Sequence, residues 1–236
     1  MSKITTVLFD LDGTLLPMVQ DRFAEAYFKL LAVKLAPRGY DPKELISAIW
    51  SGTRAMIAND GTRNNEEAFW ADFTARFGQE AREDLPIFDE FYRKDFLLVR
   101  EVCGFHPDAA KAIRILRDKG IPAILATNPI FPAVATANRI RWAGLDPSDF
   151  ELITTYENSR YCKPNLEYYK DILSSRGLRP EECLMVGNDV AEDMITASLG
   201  MEVFLLTDCL INKPMLDINN YPHGGFPELL ARLTAL

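Results

Sequence analysis

Two aspartates one residue apart, Asp10 and Asp12, lead the segment Asp10-Leu11-Asp12-Gly13-Thr14. A carboxylate can attack as a nucleophile while a neighbouring carboxyl carries the proton. Two like charges this close need a hard cation, a shared proton, or both. The apolar run before them, residues 4–9, predicts a buried strand. Alternation along an extended chain points both aspartates to one side of its end. Gly13 then permits a sharp turn. An acidic turn without function is the plain alternative. A calcium loop is a poorer one, because Gly13 comes too early and no Glu closes the motif.

Three other groups follow expected strands. Thr127-Asn128 places a hydroxyl and an amide where backbone N–H groups can help hold phosphate oxygens, although a turn or helix cap would use the same pair. Lys163-Pro164 sets an ammonium beside a stiff backbone. Such a group can neutralise a carboxylate and a phosphoryl group together. Gly187-Asn188-Asp189-Val190-Ala191-Glu192-Asp193 closes a strand and puts acids at a helix start, where the dipole favours them in any case. Magnesium wants oxygen ligands beyond Asp10. Asp189 is the first choice, and Asp193 is either a second ligand or a group that orients Lys163.

The elements that must position these residues fall into two patterns. Four helical stretches follow the first strand, over residues 20–36, 42–59, 65–77 and 86–102, with apolar residues at helical spacing. That block is too long for a loop. After Gly104, helices are expected over 107–119, 131–142, 166–176, 191–199 and 227–235, and strands over 121–126, 151–154, 183–186 and 202–206. Alternation of this kind implies an α/β fold with a parallel sheet covered on both faces. Its ligands bind at the carboxyl ends of the strands. The expected division is a catalytic core of residues 1–16 and 104–236 and an inserted helical domain of residues 17–103.

The chain has 236 residues, 48% of them hydrophobic, enough for a substantial core. A net charge of −8 opposes nucleic-acid and anionic-membrane binding. It still allows a small phosphorylated substrate where a metal and local cations offset the repulsion. Met1-Ser2-Lys3 lacks a signal-peptide shape, and no apolar stretch suits a bilayer, so the expected location is the cytoplasm. Cys103, Cys162, Cys183 and Cys209 have no paired ligand spacing and read as free thiols.

Taken in order, these motifs resemble the haloacid dehalogenase superfamily over nearly the whole chain. Asp10 to Thr14 looks like its first motif, Thr127 its second, Lys163 its third, and Gly187 to Asp193 its fourth. The helical block resembles the family's first type of cap, set on a Rossmann-like parallel sheet. The resemblance implies Asp10 as nucleophile and Asp12 as general acid and base, its pKa raised by the adjacent carboxylate. It implies Thr127 and Asn128 on the phosphoryl group and Lys163 on the developing charge. Magnesium would sit on Asp10, the Asp12 carbonyl and an acid of the fourth motif. One departure is Asn188, where many members carry Asp, so either Asp189 or the Asn188 amide oxygen would be the ligand.

The implied activity is magnesium-dependent hydrolysis of a phosphate monoester by a monomer or small homo-oligomer. Carbon–halogen cleavage is a rival that generally lacks an acid at the Asp12 position. A phosphomutase would share the core residues. A phosphonate-cleaving enzyme would need a cap lysine, and none of Lys29, Lys34, Lys43 or Lys94 stands out. A non-catalytic binding protein is the remaining alternative. His106 and His223 read as structural or loop residues, Trp50 and Trp70 as helix core, and Arg54 and Arg63 as surface charge. No chemistry is assigned to the loop 207–214. Hinges for a cap that opens and closes are expected near residues 16–19 and 102–105.

Overall fold

A computed structural model describes residues 3–236; Met1 and Ser2, part of the segment read above for a signal peptide, lie outside them. Strand β1 (Thr6–Phe9) is buried at every position and forms the middle of a six-stranded sheet. The strands are β2 (Ala123–Leu125), β3 (Leu152–Ile153), β4 (Cys183–Gly187), β5 (Glu202–Leu206) and β6 (His223–Gly224). Their order is β3-β2-β1-β4-β5-β6, and every pairing is parallel. In a doubly wound sheet of this order the strand sequence reverses beside β1, and that reversal opens a crevice at the carboxyl ends. The loops after β1 and β4 flank it.

Burial on both faces explains the continuous apolar runs of the strands. Val7, Phe9, Leu125 and Val186 face one core with α5 (Pro107–Asp118) and α8 (Phe226–Thr234). Leu8, Ile124, Met185 and Val203 face the other, with Tyr168, Tyr169 and Ile172 of α7 (Leu166–Arg176). The remaining core helix is α6 (Ala133–Trp142).

Between β1 and α5 the only regular elements are helices: α1 (Gln20–Leu35), α2 (Pro42–Ile57), α3 (Asn65–Phe77), α4 (Leu85–Arg93) and short 3₁₀ segments. Asp41 caps α2 through the Lys43 and Glu44 amides, and Asn64 with Glu67 forms a capping box on α3. Phe73 sits at the centre of an aromatic cluster with Phe69, Trp70, Phe77 and Phe88. The two connections to the sheet run side by side. Met18 bridges Cys103, and Gly104 N–H donates to Pro17 O at 2.7 Å.

Several expected elements differ from the structure. The stretch 86–102 is not one helix: Lys94 leaves helical angles, and 3₁₀ segment Asp95–Val102 follows. The break brings Phe96 edge-on to Phe23 and Tyr27. The helix expected over 191–199 is a 3₁₀ segment, Met194–Leu199. Strand β6 was not anticipated, because two residues without an apolar pattern are recruited by backbone pairing alone, as in Thr207 N–H to Gly224 O at 2.9 Å. Among the described residues no helix is long and apolar enough to cross a membrane.

Candidate active site

Strand β1 ends at Phe9, so Asp10 and Asp12 do not share one extended segment as expected. Leu16 N–H donates to Leu11 O and Gly13 N–H to Leu16 O, both at 2.8 Å, which curls the chain immediately. Gly13 adopts φ +93°, and a Cβ there would press on the Asn188 amide. Both aspartates reach one cavity of about 860 Å³, yet each meets a different cation.

The Asp10 carboxylate accepts from Lys163 Nζ at 2.9 Å. Lys163 is completely buried and also donates to Asp193 Oδ1 at 2.7 Å. Burial acts to lower the Lys163 pKa, but Asp10 and Asp193 outweigh it and hold the ammonium well above its ordinary value. Burial raises the Asp193 pKa against the pull of Lys163. The second Asp193 oxygen accepts Asp189 N–H at 3.0 Å, which ties this ion pair to the loop after β4.

Asp12 pairs with Arg139 of α6, a residue the sequence reading missed. Arg139 Nη1 donates to Asp12 Oδ2, Nη2 donates to Thr136 Oγ1 at 3.2 Å, and the guanidinium carbon lies 4.5 Å from the Phe131 ring centre. Arg139 is fully buried, and a buried guanidinium needs such partners. Its i,i+3 spacing from Thr136 and its place in a helix beside the second motif were the available signals. Asp12 Oδ1 is buried without a hydrogen-bond partner. Burial raises the Asp12 pKa; Arg139 opposes this, and the Asp10 charge adds a smaller increment. The neighbouring carboxylate is therefore not the main cause, in contrast to the sequence-based expectation.

Thr127 is held by its backbone. Its carbonyl accepts from Thr154 Oγ1 and Tyr168 Oη, each at 2.8 Å, joining the ends of β2 and β3 to α7. Asn128 Nδ2 donates to Glu192 Oε2 at 3.3 Å, while Asn128 Oδ1 is buried without a partner. Burial pushes the Glu192 carboxyl up to about 7. Asn188 Oδ1 accepts from Thr14 Oγ1 at 3.0 Å, and its Nδ2 donates to Cys209 O at 2.7 Å. The loop 207–214, to which no chemistry was assigned, thus braces Asn188. Lys213, from the same loop, lines the cavity. Asp189 Oδ1 caps the Ala191 and Glu192 amides at 2.8 and 3.0 Å.

Asp10, Asp12, Thr127, Asn128, Asn188, Asp189, Glu192 and Asp193 all line the cavity. Its other walls come from the helical insert and from the core segments 130–134 and 156–157. Trp70 is core as expected, but Trp50 is 46% exposed at the cavity rather than buried. His106 caps α5 by accepting Asp108 N–H, and His223 is exposed at the sheet edge. Fully ionised, the four carboxylates of Asp10, Asp12, Asp189 and Asp193 face two buried cations, Lys163 and Arg139. The surplus is negative, and a phosphate dianion would add to it. A hard divalent cation fits that balance and the all-oxygen donor set. Among the described residues no three His, Cys, Asp or Glu side chains converge as a metal cage. Magnesium commonly does without one, using one or two carboxylates with waters and substrate oxygens.

A parallel sheet with Asp10, Thr127, Lys163 and the acids of residues 189–193 after successive strands, with a helical insert, matches a hydrolase of the haloacid dehalogenase type. The family model for haloacid dehalogenase-like hydrolases matches residues 4–199, and the chain belongs to that family. Phosphoglycolate phosphatase of Neisseria gonorrhoeae is 25% identical over 199 residues, covering 84% of this chain and 77% of that one. Ribulose-1,5-bisphosphate 5-phosphatase of Halopiger xanaduensis is 27% identical over 210 residues, covering 85% and 84%. The HAD hydrolase YfnB of Bacillus subtilis, described bound to magnesium and with interdomain movement, shares the fold at TM-score 0.58 and 19% identity, with both chains covered completely.

Proposed function

We propose that the protein is a magnesium-dependent phosphatase that hydrolyses a small phosphate monoester through an aspartyl phosphate on Asp10. One observation carries this reading: Lys163, fully buried behind the cavity, bridges two residues that line it, Asp10 at 2.9 Å and Asp193 at 2.7 Å. An Asp10 oxygen forms a bond to phosphorus as the bond to the leaving oxygen breaks. Asp12 delivers a proton to that oxygen. It then removes a proton from the water that attacks the aspartyl phosphate, which frees Asp10 and inorganic phosphate. Lys163 and the Thr127 hydroxyl face the phosphoryl oxygens, and Asn128 offers its amide.

Magnesium would be held by Asp10, the Asp12 carbonyl and Asp189, and would supply charge neutralisation on the phosphoryl oxygens. Asp189 is preferred over Asn188, whose amide is already bonded at both ends. Asp193 serves Lys163 instead. Residues 17–103 are read as a cap hinged at the paired connections around Pro17 and Gly104. The acid at position 12 and its fixed partner favour phosphate over carbon–halogen chemistry.

Phosphate release from a panel of phosphoesters, with magnesium and with EDTA, tests the reading. Turnover should require magnesium and vanish in Asp10→Asn, and rapid quenching should trap phosphate on Asp10 by mass spectrometry. Unchanged activity in Asp10→Asn defeats it.

A further inference from the structure

We propose that the cavity selects phosphate esters of an uncharged, ring-bearing alcohol and discriminates against leaving groups that carry a second anion. This rests on the phosphatase reading. It departs from the small anionic and bisphosphorylated substrates in the names of the two relatives. Size is the first ground. About 860 Å³ falls near the upper end of pockets that enclose a drug-sized molecule. A two-carbon acid would leave most of it filled with water.

The walls are the second ground. On the insert side of the lining, Phe28 and Trp50 lie with ring centres 5.3 Å apart, and Trp50 and Ile57 remain 46% and 47% exposed beside the cavity. Phe131 packs edge-on to both Phe23 and Tyr27, whose rings are stacked on each other, and all three line the cavity. A ring placed there would remove apolar surface from water on both partners.

Charge is the third ground. The ionisable lining contributed by the insert and the loop near β3 is Glu66, Asp89, Arg93 and Glu157. Arg93 is taken by Asp89 at 3.0 Å. That leaves Glu66 and Glu157 with no further lining cation from these segments, although the Arg82 charge, outside the lining, acts on Glu66. The remaining lining cation, Lys213, belongs to the loop whose Cys209 carbonyl braces Asn188 rather than to the insert. A carboxylate or second phosphate on the leaving group would be desolvated beside like charge.

The test compares kcat/KM of the full chain with magnesium for benzyl phosphate, ethyl phosphate and 2-phosphoglycolate; the first two alcohols have similar leaving-group acidity. Burying a phenyl ring predicts a preference of roughly 10–100-fold for benzyl over ethyl phosphate, with 2-phosphoglycolate slower than both. Trp50→Ala should reduce kcat/KM for benzyl phosphate more than for ethyl phosphate. Calorimetric binding of benzylphosphonate, ethylphosphonate and phosphonoacetate reads the same preference without turnover. If no ester is hydrolysed, the phosphatase reading fails while the binding order still decides the pocket. Equal affinity for benzyl and ethyl compounds, or tighter binding of phosphonoacetate, overturns the proposal.

Discussion

Arg139 Nη1 donates to Asp12 Oδ2, so the carboxylate proposed to shuttle protons is clamped by a guanidinium that has no exposure to solvent. The clamp leaves Asp12 Oδ1 without a partner, free for a leaving oxygen or a water. It also makes Asp12 structural. Asp12→Asn should lose turnover and, by leaving a buried charge unpaired, cost about 3–5 kcal/mol of stability. Asp12→Asn with Arg139→Met should recover much of that stability and none of the turnover. Urea denaturation beside a phosphate-release assay checks both; a single variant as stable as wild type contradicts the coupling.

Lys163 answers two carboxylates at once. Lys163→Met should abolish turnover and destabilise the fold by about 3–5 kcal/mol, because Asp10 and Asp193 are left facing each other without a cation. A loss below about 1 kcal/mol in denaturant titration would mean that solvent reaches the pair.

Asn65, fully buried at the start of α3, ties the insert to the core. Its Nδ2 donates to Pro129 O at 3.1 Å and its backbone N–H to Ser159 O at 2.8 Å. Asn65→Ala strips the side-chain contacts and should cost about 1–3 kcal/mol. Because the contact is between insert and core, KM should change more than kcat. Steady-state kinetics with a melting curve separates this from general unfolding.

Thiol reactivity should follow burial. Burial pushes Cys103 and Cys183 up to about 11 and Cys162 up to about 12. At pH 8 these groups stay almost entirely protonated, and the thiolate is the reactive form. Iodoacetamide at pH 8 should therefore label Cys209, which is partly exposed, before the other three. Their labelling should accelerate about tenfold per pH unit while the fold holds. Peptide mass spectrometry that finds Cys162 modified first would refute this order.

Much of the candidate site was legible because it is local. Asp10, Thr127 and Asp189 closely follow buried strands, Lys163 lies beside Pro164 in the loop before α7, and a parallel sheet collects its strand ends at one edge. Period and punctuation likewise marked the helical insert. What the linear pattern could not carry is pairing across distance. Arg139 reads as one more polar residue of a helix until the fold brings it 127 positions back to Asp12. The loop 207–214 gains a role only when Cys209 O meets the Asn188 amide. Trp50 reads as core until tertiary packing leaves it open beside the cavity. Backbone propensity and alternation are properties of neighbours in sequence, so composition and spacing determined the fold class and pointed to candidate residues at the strand ends. Desolvation and charge pairing depend on neighbours in space, so only the folded chain decided which carboxylate meets which cation and what kind of surface faces the substrate.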